Sequence, residues 1–338
     1  MPVQDSELKF YKAASVNDTS TCGGKLSATE IVSGVKNNTF PDISQAERAA
    51  GTTRFRKIFS KIASAENLAF QNSKIFLERS TPGDDRIVMF PGTQTDTKAD
   101  LTGSERLYGV GKLQSDVSVG EPSVIVITEA GADAIFQDGD LIRISNQDGV
   151  NDNTGKEEWI RLAASNAVSW NGDQATLTFL AGNVLANAYA ATSTRVASVI
   201  EAGTIQPTVT GWSEISASGT YNEGTYPVVP NSIGTIKETW TLTFTNATNY
   251  TVQGSVVGSV GTGSIGGGDF APDNINFTGH PYFTLKDAGW GGTWASGETI
   301  VFSTTPAAYP LWLQHIVPAG ANSISGNAMR YAIAGESA

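Results

Sequence analysis

The sequence predicts a mainly all-β fold, built from two or three sandwich-like or barrel-like domains with few short helices. Short apolar runs recur between turn signals along the chain, a pattern typical of sandwiches and barrels. Segment 239–245 alternates strictly, with Trp240, Leu242 and Phe244 on one face and threonines on the other. Residues 203–338 carry only 11 charged side chains, which favours a packed, nearly neutral sheet.

The length of 338 residues predicts about two or three domains. We expect residues 1–122 to form an N-terminal, loop-rich β domain. Residues 123–202 are expected to form a second β domain or to continue the first. Residues 203–338 are expected to form an Ig-like C-terminal β-sandwich with a terminal segment that carries Trp312 and prolines.

Local signals predict the elements of the N-terminal part. Ser44 and Glu47 form a capping box, which predicts one short helix. Segment 54–62 has apolar residues that fit either helical or strand spacing. Because strand-like runs follow at 75–77 and 87–90, we favour a strand.

The rest of the chain reads as short strands and turns. Asn171-Gly172 predicts a hairpin, the Ala-rich patch 185–191 suggests a helical turn, and the Gly-rich run 261–268 is expected to be a flexible loop. The predicted strands are 124–127, 141–144, 159–162, 176–179, 240–244, 250–256, 282–285 and 299–302.

Charge and cysteine content exclude several classes of function. Residues 1–125 hold 15 basic and 15 acidic residues, so the net charge of −11 comes from the remainder of the chain. Such a chain repels phosphate backbones, and no nucleic-acid partner is expected. The single Cys22 excludes an intrachain disulfide. No apolar run approaches the length of a membrane span and the N-terminus lacks a secretory pattern, so we expect no membrane contact and synthesis in the cytoplasm.

The residues needed for catalysis are scarce. His280 and His315 are the two histidines, and no nucleophile elbow accompanies His280. We predict a structural role for His280 and a strand position, in a core or at an interface, for His315. Asp84-Asp85 lies in a Pro-Gly turn and is expected to be solvated. We therefore predict no catalytic residue, no cofactor and no enzymatic activity.

One loop is rich in oxygen ligands. Asp148, Asp152 and Glu157 lie in a polar segment with Asn and Gly, as in many Ca²⁺ loops, but their spacing does not match an EF-hand. We predict no metal, with this loop as the weak alternative.

One basic cluster stands out beside two phenylalanines. We expect it to dock on the acidic half of a neighbouring copy, with nucleic acid as the lesser alternative. The assembly-interface candidates are this cluster and Trp312: Arg48, Arg54, Arg56, Lys57, Lys61 and Trp312.

Two further tryptophans, Trp290 and Trp294, lie four residues apart in a Gly-rich turn. They are candidates for stacking on sugars or for a core position, and the core is favoured.

Several segments carry a family resemblance. They are RFRKIF at 54–59 with Asn67-Leu68, FQDGDLIRI at 136–144, and AGWGGTWASGE at 288–298 leading into 306–312 and 316–321. These segments resemble virion structural proteins of tailed bacteriophages, in particular tail-associated proteins of transposable, Mu-like siphophages. The resemblance implies a non-enzymatic part that is repeated with ring symmetry in the virion.

The leading expectation is therefore a virion structural subunit, most specifically a tail component of the tube, distal tail or baseplate ring. Its partners would be copies of itself, as a ring, trimer or hexamer, and other virion proteins, after assembly in the host cytoplasm. The alternatives are a head decoration or minor capsid protein, and a carbohydrate-binding adhesin module.

Overall fold

The computed structural model describes residues 2–129, 134–149 and 152–337. It is nearly all β, with 46% of residues in strands, several sheets and one short α-helix in the described ranges. This confirms the predicted all-β, multi-domain fold.

The N-terminal third holds five strands and the helix. The strands are β1 (Leu8–Ser15), β2 (Gly23–Glu30), β3 (Thr52–Ile62), β4 (Phe70–Arg79) and β5 (Arg86–Pro91), and α1 is Gln45–Ala50. The capping-box prediction is confirmed, because the Ser44 side chain accepts a hydrogen bond from the backbone N–H of Glu47 at the start of α1. The preference for a strand over a helix at 54–62 is also confirmed, by β3.

The middle and last thirds are made of short strands. The middle strands are β6 (Val110–Leu113), β7 (Ser123–Ile127), β8 (Leu141–Ser145), β9 (Glu157–Arg161), β10 (Val168–Asn171), β11 (Gln174–Thr178), β12 (Arg195–Ser198) and β13 (Ile200–Ile205). The later strands are β14 (Thr208–Ile215), β15 (Thr220–Tyr221), β16 (Val229–Pro230), β17 (Glu238–Phe244), β18 (Asn249–Gly254), β19 (Gly258–Ser264), β20 (Phe283–Thr284), β21 (Trp290–Gly291), β22 (Thr299–Thr305), β23 (Ala308–Val317) and β24 (Arg330–Ser337). Single 3-10 turns cover Asp5–Glu7, Lys98–Asp100 and Asp287–Gly289.

Three sheets form the main body. The first has the order β2-β1-β3-β23-β5, the second β10-β11-β7-β6-β12-β8-β9, and the third β13-β4-β24. The second sheet encloses the largest apolar cluster, which includes Val126, Ile142 and Leu177. Another cluster joins all three sheets through Ile58, Ala197 and Ile75. The three sheets therefore share apolar contacts.

Residues 208–305 form a separate sandwich-like unit between β13 and β23. Its five-stranded sheet has the order β14-β22-β17-β18-β19, and the ribbons β15-β21 and β16-β20 accompany it. Trp240, Leu242 and Phe244 are 0–1% exposed, as their alternation predicts. Residues from the ribbons, such as Tyr221 and Phe283, pack into the same core.

The sheet boundaries differ from the expected division at 123 and 203. The second sheet already begins with β6, and β13 pairs with β4 of the N-terminal part. After the 208–305 unit the chain returns, so that β23 inserts between β3 and β5 and β24 pairs with β4. The apolar pattern predicts where strands lie, but strand partners are chosen by packing between distant segments.

Two local expectations are wrong. The Gly-rich run does not begin as a loop, because β19 continues to Ser264 and pairs with β18; backbone hydrogen bonds hold a strand whose side chains pack little. The Ala-rich patch 185–191 contains no helical turn, and its Tyr189 instead forms a bridge with Val117.

Candidate functional site

Four residues of the basic cluster lie on β3, near the centre of the first sheet, and the fifth, Arg48, lies on α1. The four side chains on β3 are buried: Arg54 is 7% exposed, Arg56 4%, Lys57 2% and Lys61 0%. The prediction that these four residues form an exposed docking surface is therefore wrong, because their charged groups are buried against other residues of the same chain.

Each of three cations has a carboxylate partner from a remote loop or from the helix. Arg54 pairs with Glu47 of α1. The guanidinium of Arg56 lies 2.6 Å from Oδ1 of Asp18. The Nζ of Lys57 lies 2.6 Å from Oδ1 of Asp96 and donates to the Gly24 carbonyl at 2.7 Å. Buried charges need such partners, so these pairs tie the loops to β3.

Lys61 has a different environment. Its Nζ donates to the carbonyl oxygen of Ile233 at 2.5 Å and lies 4.0 Å from the ring centroid of Phe277. Both residues belong to the 208–305 unit. Burial lowers the pKa of Lys61 from 10.5 to about 7. This lysine therefore joins the first sheet to the 208–305 unit.

The remaining interface candidates are Arg48 and Trp312. Arg48 is half-buried, and its guanidinium donates to the Ile43 carbonyl at 3.0 Å. Trp312 is 0% exposed; its Nε1 donates to Asp96 at 2.8 Å and its ring packs on Phe90. Trp312 thus anchors β23 within its own chain, and of the six candidates only Arg48 retains substantial access to solvent.

The paired tryptophans pack among aromatic rings. Trp294 is 2% exposed and stacks on Phe244, with centroids 4.2 Å apart. Trp290 is half-buried and contacts Phe244 edge-on at 5.5 Å. Trp212 is also half-buried and stacks on Phe302 at 5.7 Å. Trp294 is therefore a core residue, and no open row of indole faces is formed by these three.

The acidic loop directs its carboxylates to three different places. Asp148 faces Arg79 at 3.0 Å, and Glu157 faces Arg143 at 2.5 Å. Asp152 accepts hydrogen bonds from Thr154 and from nearby backbone N–H groups, which hold the pKa of that carboxyl well below its usual range. In the ranges that the structure describes, no group of three or more His, Cys, Asp or Glu side chains is arranged to hold a metal ion. Residues 150 and 151 of this loop lie outside those ranges.

A buried His–Asp pair was not anticipated. Nε2 of His315 lies 2.5 Å from Oδ2 of Asp85, whose other oxygen accepts from Asn327 at 2.8 Å. Burial opposes ionisation of Asp85, but these hydrogen bonds outweigh it and lower the pKa of the carboxyl. The expectation of a solvated turn holds for the exposed Asp84 and is wrong for Asp85, which is 5% exposed. The two partners lie 230 residues apart, so no local sequence signal joins them.

This pair lies at a large cleft of about 1470 Å³. Its lining includes an arm, residues 31–43, and residues 321–334. Phe40 of the arm contacts the His315 ring edge-on at 5.0 Å. The Nδ1 atom of His315 is buried and finds no hydrogen-bond partner among the described residues. His280, by contrast, is half-buried in a loop, where its backbone N–H donates to the Phe277 carbonyl at 3.0 Å.

The 208–305 unit has an open sheet edge at β19. This strand pairs with β18 on one side and is terminal in the sheet. The sequence from Thr251 to Gly268 contains no charged residue and no proline, and the adjacent Val256 and Val257 are 70% and 40% exposed. Charges and prolines are the usual devices that blunt sheet edges. The β19 edge has no charged residue and no proline of this kind.

The described part of the chain contains no helix with the length and apolar character that a membrane crossing requires. Comparisons with protein-family models, with curated proteins and with solved structures find no match to this chain.

Proposed function

We propose that this chain is a non-enzymatic structural subunit of a tailed-bacteriophage virion, and specifically a tail component that acts by self-assembly. The segments that resemble tail-associated proteins support this proposal, and an all-β, multi-domain chain suits it. Its partners are then copies of itself in a tube, distal-tail or baseplate ring, together with other virion proteins.

The observation that carries the proposal is the edge strand β19, which contains no charged residue and no proline. An exposed sheet edge presents unpaired backbone N–H and C=O groups, and another strand can add to it through main-chain hydrogen bonds. The edge is uncharged over Thr251 to Gly268, so a copy that carries the same net charge of −11 meets little local repulsion there.

The oligomeric state of the purified chain tests the proposal. We expect light scattering to give a defined homo-oligomer, and negative-stain microscopy to show rings or tubes. A strict monomer at high concentration would contradict self-assembly. Monomers or trimers that bind empty heads would replace the tail assignment by a head decoration protein.

A charged substitution tests the edge itself. Thr262 is exposed on β19, and we expect Thr262→Lys to weaken self-association by about tenfold or more, which is about 1.4 kcal/mol. The matched control is Ser165→Lys at an exposed loop position. Equal association of the two variants would show that β19 is not the contact.

A further inference from the structure

A strap of residues 318–329 connects β23 of the first sheet to β24 of the third. The strap is largely exposed. Two of its side chains hold it: Asn322 donates to Asp84 at 2.9 Å and Asn327 donates to Asp85 at 2.8 Å. Residues 321–329 of the strap and the start of β24 line the cleft. The strap is thus held by these polar contacts and, at its end, by Met329, which packs against the apolar cluster shared by the sheets.

The strand at the end of the strap is weakly buried. Of its described residues only Ala332 is buried, at 7% exposed. Its pairing with β4 has two register irregularities, and among the described strands β4 is its one partner. Tyr331 supplies a ring contact, edge-on to Phe10 at 4.7 Å. β24 is therefore held by backbone pairing with β4 and by partly buried apolar side chains, of which Ile333 packs against two core clusters.

The receiving strand is built into the core. Ile75 and Leu77 of β4 are 0% exposed, and Phe76 is 3% exposed. They face Ile333, Tyr331 and Ala332 of β24 in register. The edge of β4 is therefore complementary to β24, and the β24 of a second copy, which has the same sequence, fits it equally well.

Building on the proposed self-assembly, we propose that β24 is exchanged between copies, so that each copy donates β24 to the β4 edge of its neighbour. β24 makes the same contacts with β4 whether the two strands belong to one chain or to two. The free-energy cost of exchange is therefore mainly the rearrangement of the strap and the entropy lost on association. A strap of this length reaches about 40 Å when extended. Donation from each copy to the next is a head-to-tail contact, which closes a ring when the rotation permits.

A disulfide across the two strands tests the exchange. Lys74 and Ala334 are direct partners in the β4–β24 ladder and both are half-buried. Directly opposed Cα atoms in antiparallel strands lie about 4.5–5.5 Å apart, within the range of a disulfide. Cys22 is 0% exposed and does not compete. The double variant Lys74→Cys, Ala334→Cys is oxidised in its assembled state and run on a denaturing, non-reducing gel.

Exchange predicts covalent dimers and a ladder of larger species. An intact oligomer whose chains all run as cross-linked monomers would overturn the exchange and leave the proposed self-assembly standing. A protein that is monomeric in solution, with intrachain disulfides only, would overturn both. The two failures are thereby distinguishable.

Two further samples complete the test. Ser169→Cys, Thr176→Cys joins direct partners in the β10–β11 hairpin, so its disulfide must stay within one chain under the same oxidation. Chains carrying only Lys74→Cys, co-expressed with chains carrying only Ala334→Cys, keep the test decisive if the double variant folds poorly. Exchange predicts a covalent pair of the two chains, and no such pair would overturn it.

Discussion

Replacing Lys61 by methionine should change how the stability of the protein depends on pH. The Lys61 side chain extends from β3 to the 208–305 unit and is 0% exposed. This burial lowers the pKa of its ammonium from 10.5 to about 7. At 1.36 kcal/mol per pKa unit, this shift corresponds to about 5 kcal/mol of lost stability when the lysine is fully charged.

The sign of the effect follows from proton binding. Between pH 7 and pH 10.5 the unfolded chain holds the Lys61 proton more tightly than the folded protein does. The free energy of unfolding of the wild type therefore falls as the pH drops through this window, and it stays at the lower level below about pH 7. Lys61→Met removes this titration, but it also leaves the Ile233 carbonyl without its donor, which costs about 1–3 kcal/mol at every pH.

Urea unfolding at pH 6.5, 8 and 9.5 measures the effect. Relative to the wild type, Lys61→Met should gain about 3 kcal/mol in unfolding free energy as the pH falls from 9.5 to 6.5. The control is Lys9→Met, since Lys9 pairs with Lys61 in the β1–β3 register but is half-exposed and lies 3.0 Å from Glu30. Parallel pH curves for the wild type and Lys61→Met would refute the reasoning.

The remaining predictions concern the aromatic core and the His–Asp pair. Trp294→Ala removes the stacking partner of Phe244 and should lower the unfolding free energy by about 3–5 kcal/mol; a loss below about 1 kcal/mol in chemical denaturation would show that the ring does not fill the core. Asp85→Asn breaks the buried pair with His315 and should cost about 3 kcal/mol at neutral pH. Because the hydrogen bonds lower the pKa of Asp85 in the folded state, this cost should shrink as the pH falls below about 4, and a cost that grows instead would contradict the assignment.

Strands could be predicted from the sequence because their signals are local. The alternation of Trp240, Leu242 and Phe244 places them on one face, and all three are buried. The capping box at Ser44 likewise involves residues three positions apart. In both cases the residues that decide the structure lie within one short window.

The candidate sites were harder to predict because their partners are remote. A run of cations with few nearby acids looks like an exposed patch, yet Arg56 meets Asp18 at a separation of 38 residues and Lys61 meets Ile233 at 172. The His315–Asp85 pair joins residues 230 positions apart. One sequence shows residue types but not which distant segments meet, and burial of a charge depends on that meeting.

The buried cations also bear on how copies of this chain can associate. Residues 1–125 carry equal numbers of basic and acidic residues, and on β3 Arg54, Arg56 and Lys57 pair with carboxylates of their own chain while Lys61 is buried. The four buried cations of β3 are therefore not available to the acidic excess of a neighbouring copy, and with a net charge of −11 the long-range forces between copies are repulsive. For the proposed self-assembly this favours short-range backbone pairing, and the uncharged β19 edge and the β4 edge that receives β24 are suited surfaces.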